Sequence, residues 1–331
     1  MIHTLELTDI YRPVQAELDR FKIAIRDDLR SDDPFLNSIN EYLLQLSGKH
    51  LRPALAILSS RLSGNTTDTP IRLAIAIELL HTATLIHDDI IDESMFRRNQ
   101  LTLNAKWGNE VSIIAGDYLY AKAFSILASF QDPLLNAAFS QCARTMCEGE
   151  MKQVEKRKDL FIGEDAYLTI ILKKTASLFQ AACAAGGYFS HPQDRGRIEA
   201  LNEYGKNLGM AFQITDDCLD ITGKEEQLGK NPGLDIQKND ATLPLIYYAE
   251  TLDRDSQREF FALLTSPSEN GRRETFEKIK SQITASGVLD KCMERAQHYA
   301  GAAHEAVRRL PESVYRKSLS DLVDYTIQRV V

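Results

Sequence analysis

The chain has 331 residues, 44% hydrophobic and 26% charged, an ordinary globular balance with enough length for one large core or for two domains. A formal net charge of -8 argues against a general nucleic-acid binder. The opening MIHTLELTDIYRPVQ has no basic region followed by an apolar run, so no secretory signal is expected, and no uninterrupted apolar run approaches the ~20 residues that span a bilayer. A soluble, cytoplasmic protein is the expectation. The five cysteines, Cys142, Cys147, Cys183, Cys218 and Cys292, lack C-x-x-C spacing and are odd in number, which fits reduced thiols serving mostly as small core residues.

Helical periodicity recurs almost everywhere and strand alternation is scarce. Helices are expected near 10–30, 34–46, 50–63, 69–94, 110–130, 133–157, 165–188, 194–223, 240–250 and 255–266, with more from about 273 to 327. Asp132-Pro133 reads as a helix start, Gly186-Gly187 as a helix end and Ser63-Gly64-Asn65 as a turn. No composition break resembles a linker and no short repeat is present. Residues 1–331 therefore read as a single all-α domain.

Two of these helices carry aspartate clusters of identical spacing, Asp88-Asp89-Ile90-Ile91-Asp92 and Asp216-Asp217-Cys218-Leu219-Asp220. Positions i, i+1 and i+4 bring three carboxylates onto neighbouring parts of one helix face. Like charges so close repel and raise one another's pKa, so something cationic should neutralise them. Hard dications with oxygen ligands are the simplest answer, and Mg²⁺ typically bridges a few carboxylates to a substrate's phosphates. In the second helix Gln213, Asp216, Asp217 and Asp220 form one polar stripe among Met210, Ala211, Phe212, Ile214 and Leu219. In the first, His81, Thr84, Asp88 and Asp92 run through Ile75, Ile77, Leu79, Leu80, Leu85, Ile86 and Ile90. Buried charge must be paired or metal-bound, so both stripes should face a cavity.

Basic residues appear in short groups: Lys49 and Arg52 in GKHLRP, Arg97-Arg98 after the first cluster, Lys173-Lys174-Thr175 within an apolar helix, and Gly229-Lys230 after the second cluster. Arginine grips phosphate oxygens bidentately and lysine supplies a mobile charge. Acid clusters with several cationic groups fit a substrate set containing more than one diphosphate.

From about Gly48 to Pro244 the sequence resembles the trans-isoprenyl diphosphate synthases, or polyprenyl synthetases. The likeness is carried by GKHLRP, ELLHTATLIHDDIIDESMFRR, GDYLYAKAF, CEGE, KKTASLF, GMAFQITDDCLDITG, LGKNPGLD and TLPLIYY, in that order. It implies an antiparallel all-α isoprenoid synthase fold around a deep central cavity, usually in a homodimer. The implied reaction joins an allylic diphosphate to isopentenyl diphosphate, head to tail, with three Mg²⁺ ions once diphosphate is bound. By the same resemblance Asp88, Asp89 and Asp92 bind Mg²⁺ on the allylic diphosphate, and Asp216 and Asp220 complete the clamp with Asp217 in support. Arg97, Lys174, Gln213 and Lys230 match groups that hold the allylic diphosphate; Lys49, Arg52, His81 and Arg98 match those for isopentenyl diphosphate. Carbonyls near Lys174 and Thr175 and the Gln213 side-chain oxygen are the dipoles expected to face the allylic cation, and released diphosphate is the expected base. Three positions depart from the family's pattern: His50 and Asp240 replace expected cations, and Asn99 replaces a glycine.

Product length is read from the first aspartate helix, along which the growing tail should run. Ala83 and Thr84, five and four residues before Asp88, form the first possible floor, and short-chain members tend to carry aromatic rings there. Leu80, Leu79 and Ile77 come next, and the two-residue insertion of one bacterial geranylgeranyl class is absent. At one isoprene unit per helical turn of ~5.4 Å, a tail of about six to ten units is expected. Phe124, Tyr120 or Met151 are candidates for the final floor. The rival readings are a short-chain farnesyl or geranylgeranyl synthase, a terpene cyclase, whose second motif usually mixes Asn, Ser or Thr with Glu, and an inactive subunit, which typically lacks aspartates that are all present here. Association with a membrane is expected only transiently, for product release.

Overall fold

The computed structural model describes residues 5–46, 48–62, 67–157, 162–223, 240–264 and 272–329. They are almost entirely helical: α1 (Leu7–Tyr11), a 3₁₀ turn (Arg12–Val14), α2 (Gln15–Asp28), α3 (Pro34–Gln45), α4 (Leu51–Arg61), α5 (Thr69–Ile91), α6 (Leu103–Ser129), α7 (Pro133–Lys156), α8 (Glu164–Ile171), a π turn (Leu172–Ala176), α9 (Ser177–Ser190), α10 (Arg195–Thr222), α11 (Leu243–Thr251), α12 (Arg254–Leu264), α13 (Arg272–Ser286), α14 (Val288–Arg308) and α15 (Val314–Gln328). The helix starts carry the expected chemistry. Asp33 accepts a hydrogen bond from the Leu36 amide ahead of Pro34, and Asp132 accepts from Leu134 and Leu135 around Pro133.

Three expected elements differ. The helix near 10–30 is broken at Pro13 into α1, a 3₁₀ turn and α2, because proline lacks an N–H. Gly186-Gly187 does not end a helix, since α9 runs on to Ser190; a Cβ on either residue would strike Ala56 of α4 or Leu201 of α10. These glycines serve close helix packing. The helix expected from 110 begins at Leu103 but is kinked at Gly108, whose φ of 86° suits only glycine. The turn at Ser63-Gly64-Asn65 lies outside the described residues. The sequence pattern missed a two-residue-strand hairpin, β1 (Phe96–Arg97) with β2 (Gln100–Leu101). Arg98 and Asn99 at its tip both have positive φ, 52° and 61°, as a tight two-residue hairpin turn requires, and Asn99, standing where the family's glycine was expected, adopts a conformation that asparagine tolerates better than most residues.

Two apolar clusters form the interior. One joins α1–α7 to α9, the first half of α10, the end of α14 and α15; the other gathers α8, the π turn, the second half of α10, α11–α13 and the start of α14. α10 threads both, and packs along α9 and α14. α5 is buried almost all round from Pro70 to Leu80, as a helix apolar on every side must be. By length and composition alone α5 and α6 could each cross a membrane, but Glu78 and His81 interrupt the apolar run of α5 and most of that stretch is packed inside the protein.

Candidate functional site

Both aspartate clusters lie at the C-terminal ends of their helices, Asp88–Asp92 closing α5 and Asp216–Asp220 nearly closing α10. A helix C-terminus already carries partial negative charge. Placing three carboxylates there costs stability and concentrates an attraction for cations.

In the first cluster every carboxylate meets a basic side chain. Lys174 Nζ lies 3.5 Å from Asp88 and also pairs with Glu150 of α7. Arg97, projecting from β1, donates from Nη2 to Asp89 Oδ1 at 2.8 Å and from Nε to Asp89 Oδ2 at 3.0 Å. Arg157, one residue past α7, donates to Asp92 Oδ1 at 2.6 Å and to Asp240 Oδ1 at 2.7 Å. Burial pushes the Asp88 carboxyl up to about 7, with Lys174 only partly offsetting it. Burial works against the Lys174 ammonium, yet Asp88 and Glu150 outweigh it and hold its pKa above the usual lysine range. Asp89, expected among the metal ligands, is 6% exposed and spends both oxygens on Arg97.

In the second cluster Asp217, 3% exposed, accepts from the Tyr167 hydroxyl at 2.6 Å and from Gln213 Nε2 at 2.8 Å. Burial, with Asp217 alongside, holds the Tyr167 phenol far above its usual range and keeps it a donor. Asp216 meets Arg329 at 3.0 Å, and that guanidinium stacks over Phe212 at 4.4 Å. Asp220 is 1% exposed. The Gln213 oxygen expected to face an allylic cation accepts instead from the Thr175 hydroxyl at 2.8 Å.

The two clusters are tied together by neighbouring residues of the π turn, Lys174 reaching Asp88 and Thr175 reaching Gln213, which in turn holds Asp217. The turn is clasped by Gly149 of α7 and Gly209 of α10: a Cβ at either would lie 2.6 Å from the Lys174 nitrogen or the Ala176 Cα. The Ser177 amide closes the i→i+5 bond to Leu172 O, and the Ser177 hydroxyl donates to Lys173 O at 2.6 Å.

A second basic group adjoins the first cluster's helix. Arg52 donates to His81 Nε2 at 3.0 Å and stacks over Phe179 at 4.6 Å. Burial lowers Arg52 to about 10 and, with Arg52 beside it, pushes His81 well below the usual histidine range. His81 is therefore a neutral acceptor and Arg52 stays charged at neutral pH. Lys49 donates to the Tyr325 hydroxyl at 3.0 Å, and Arg98, exposed, donates to Leu46 O with its guanidinium against Gly48. His50 pairs with buried Glu78 at 3.0 Å, facing the interior where a cation was expected to serve the site. Asp240 pairs with Arg157. Lys230 lies outside the described residues. The sequence reading missed Glu150, Arg157, Tyr167 and Arg329; only Arg157, in a basic run, and Glu150, in CEGE, left a visible trace.

Along α5, Leu80 and Ala83 are fully buried, and Thr84 is half-buried with its hydroxyl donating to His81 O at 2.7 Å. Tyr120 stacks on His87 with ring centroids 6.0 Å apart, and Phe124 packs on the main core. Met151 is 64% exposed, so within this chain it forms no floor.

Among the described residues no three Asp, Glu, His or Cys side chains converge into a finished metal cage. The donor set nevertheless fits a hard divalent ion: all-oxygen carboxylates at two helix C-termini, with Asp88 pushed towards protonation by burial and by neighbouring Glu150 and Asp92 despite Lys174. Mg²⁺ commonly takes only one or two carboxylates and completes its shell with water and substrate phosphate, so a finished cage is not required.

The sequence pattern described as Polyprenyl synthetase matches residues 33–307. The octaprenyl diphosphate synthase of Escherichia coli (strain K12) is 34% identical over 308 residues, covering 92% of this chain and 94% of that protein. The all-trans-nonaprenyl-diphosphate synthase (geranyl-diphosphate specific) of Rhodobacter capsulatus is 34% identical over 324 residues, 97% and 98% of the two chains. A polyprenyl synthase from Caulobacter crescentus CB15, solved in complex with calcium and isoprenyl diphosphate, superposes with a TM-score of 0.93 at 34% identity over 100% of both chains. The twin aspartate helices thus sit in a shared all-α isoprenoid synthase fold, and the chain belongs to the polyprenyl synthetase family.

Proposed function

We propose that this chain is a trans-polyprenyl diphosphate synthase making a long-chain product from an allylic diphosphate, farnesyl or geranylgeranyl, and isopentenyl diphosphate. The observation that carries this reading is the π turn, whose consecutive Lys174 and Thr175 bring two aspartate-bearing helix ends to one site. Asp88, Asp92, Asp216 and Asp220 would hold Mg²⁺, three ions with diphosphate bound, while Asp89 and Asp217 orient Arg97 and Gln213. The chemistry such ions supply is stabilisation of the charge that grows on departing diphosphate.

The chain's own residues do the rest. Lys174 lies beside the first cluster and neutralises the leaving group. Arg97 and Lys230 add positive charge on the allylic side. Lys49, Arg52 and Arg98 hold isopentenyl diphosphate, with neutral His81 fixing the Arg52 guanidinium. The acceptor alkene must be in place before the allylic cation forms, because water would otherwise capture it. The hydroxyl of Thr175 and the amide of Gln213, locked to each other, present fixed dipoles at that position. Released diphosphate takes the proton.

Residues 1–331 act as one domain, and the working unit is a homodimer. Exposed Ile113 and Ile114 on α6 support that pairing, since paired apolar side chains at 46% and 68% exposure invite a protein surface. Five free cysteines fit a reducing cytoplasm, with membrane contact confined to product release. A long product is supported by the small floor at Ala83 and Thr84 and by the named activities of the octaprenyl and nonaprenyl relatives.

Incubation with farnesyl diphosphate, labelled isopentenyl diphosphate and Mg²⁺, followed by product sizing, tests the reading. Products of about six to ten isoprene units are expected, at one helical turn per unit. Geranylgeranyl diphosphate as end product would favour the short-chain alternative. Ala83→Phe should shorten the wild-type product sharply, and an unchanged length would remove α5 as the ruler.

A further inference from the structure

Arg157 stands just past the end of α7, its side chain largely buried. Nε donates to Asp240 Oδ1 at 2.7 Å and Nη2 to Asp240 Oδ2 at 3.1 Å, a two-pronged clamp. The same Nη2 donates to Asp92 Oδ1 at 2.6 Å. Asp240 is 7% exposed and lies three residues before α11, where its carbonyl accepts from the Thr242 amide at 3.0 Å. A guanidinium held by two prongs is fixed in plane and direction.

The charge balance shows what this clamp does. A divalent ion joining Asp92 would add two positive charges beside the Arg157 guanidinium and would favour an anion there. A carboxylate offers about four lone-pair sites, so ion and guanidinium can share Asp92. With Nε and both Nη2 hydrogens engaged by Asp240 and Asp92, the Nη1 hydrogens would be the ones to meet an oxyanion held beside Asp92, and a guanidinium pairs with phosphate oxygen more strongly than a neutral donor does.

We propose that Arg157 is a further diphosphate-binding residue, aimed by Asp240 at the oxygens of a metal-bound diphosphate beside Asp92. The proposal rests on the prenyl-transfer reading, in which Asp92 faces the metal. Calorimetric titration of the full-length chain with inorganic diphosphate in excess Mg²⁺ tests it without turnover. Relative to wild type, Arg157→Gln should bind at least tenfold more weakly, and Asp240→Asn, which frees the guanidinium from its aim, about threefold more weakly. In steady state Arg157→Gln should raise KM for the allylic diphosphate and leave KM for isopentenyl diphosphate unmoved, a split that general loosening of the fold would not give. Diphosphate binding by Arg157→Gln as tight as wild type, or tighter, would reduce Arg157 to a counter-ion of Asp92 and overturn the proposal. If Arg157→Gln does not fold, Asp240→Asn decides, and unchanged affinity there overturns it equally. Wild-type protein that binds no diphosphate with Mg²⁺ would remove the prenyl-transfer reading itself.

Discussion

Among the described residues, the three carboxylates of the first aspartate cluster meet the basic side chains Lys174, Arg97 and Arg157; in the second, Asp217 accepts from a phenol and an amide, and Asp216 meets an arginine. Spacing and position at a helix C-terminus are the same in both. The surroundings are not. Helix geometry puts the i and i+4 aspartates on one face and turns the i+1 aspartate about 100° away. That turned residue, Asp89 or Asp217, becomes a support in each cluster, and the described partners are a guanidinium for Asp89 and the neutral donors Tyr167 and Gln213 for Asp217. Under the proposed prenyl transfer, the basic side chains of the first cluster would stay beside a metal and its diphosphate.

The largest test removes the facing carboxylates. Asp88→Ala and Asp216→Ala should each lower prenyl transfer by roughly 10³-fold, the scale of losing one main electrostatic contributor to a transition state. Asp217→Asn should cost far less, because it touches the support alone. Labelled isopentenyl incorporation measures all three, and a near-normal Asp216→Ala would break the symmetry between the clusters. The next test separates the two kinds of support. Arg97→Met leaves Asp89 buried without its charged partner and should cost about 3 kcal/mol. Tyr167→Phe removes one hydrogen bond from an uncharged donor to a carboxylate and should cost roughly 2 kcal/mol. Urea unfolding in EDTA reads both, and equal costs would erase the distinction.

Much of this was legible in the sequence because it depends on period and residue type. The helices from α3 to α12 follow apolar periodicity, and the polar stripes through Asp88 and Asp216 follow from the same period. Partners across the fold were not legible. Arg329 is 113 residues from Asp216 and Tyr167 is 50 from Asp217, and no local pattern ties them. The glycines show the same limit. Gly186-Gly187 reads locally as a stop, yet its use is set by α4 and α10 packing from outside. The π turn adds one residue to a helix whose periodicity is otherwise continuous, so Lys174 and Thr175 were visible as polar residues but not as the bridge between two helices.

The smallest expected effect gives the comparison its clearest sign. Burial holds the Asp88 carboxyl at about 7 in the folded chain, against 3.8 for an ordinary aspartate. Between those values the folded protein keeps a proton that the unfolded chain has released, so this group's contribution to stability falls as pH rises through that window and is flat above it. Asparagine imitates the protonated side chain at every pH. Asp88→Asn should therefore raise the melting temperature in EDTA at pH 8 by about 3 °C and at pH 5 by roughly a third of that, since only the lower third of the window from 3.8 to about 7 has been crossed there. The same exchange at Asp217 has the opposite sign. Its two oxygens each accept from a separate donor, Tyr167 and Gln213, and asparagine would set an amide NH₂ against one of them. Asp217→Asn should thus lower the melting temperature at both pH values. A stabilising Asp217→Asn, or an Asp88→Asn gain that does not grow with pH, would show that the two clusters are held alike.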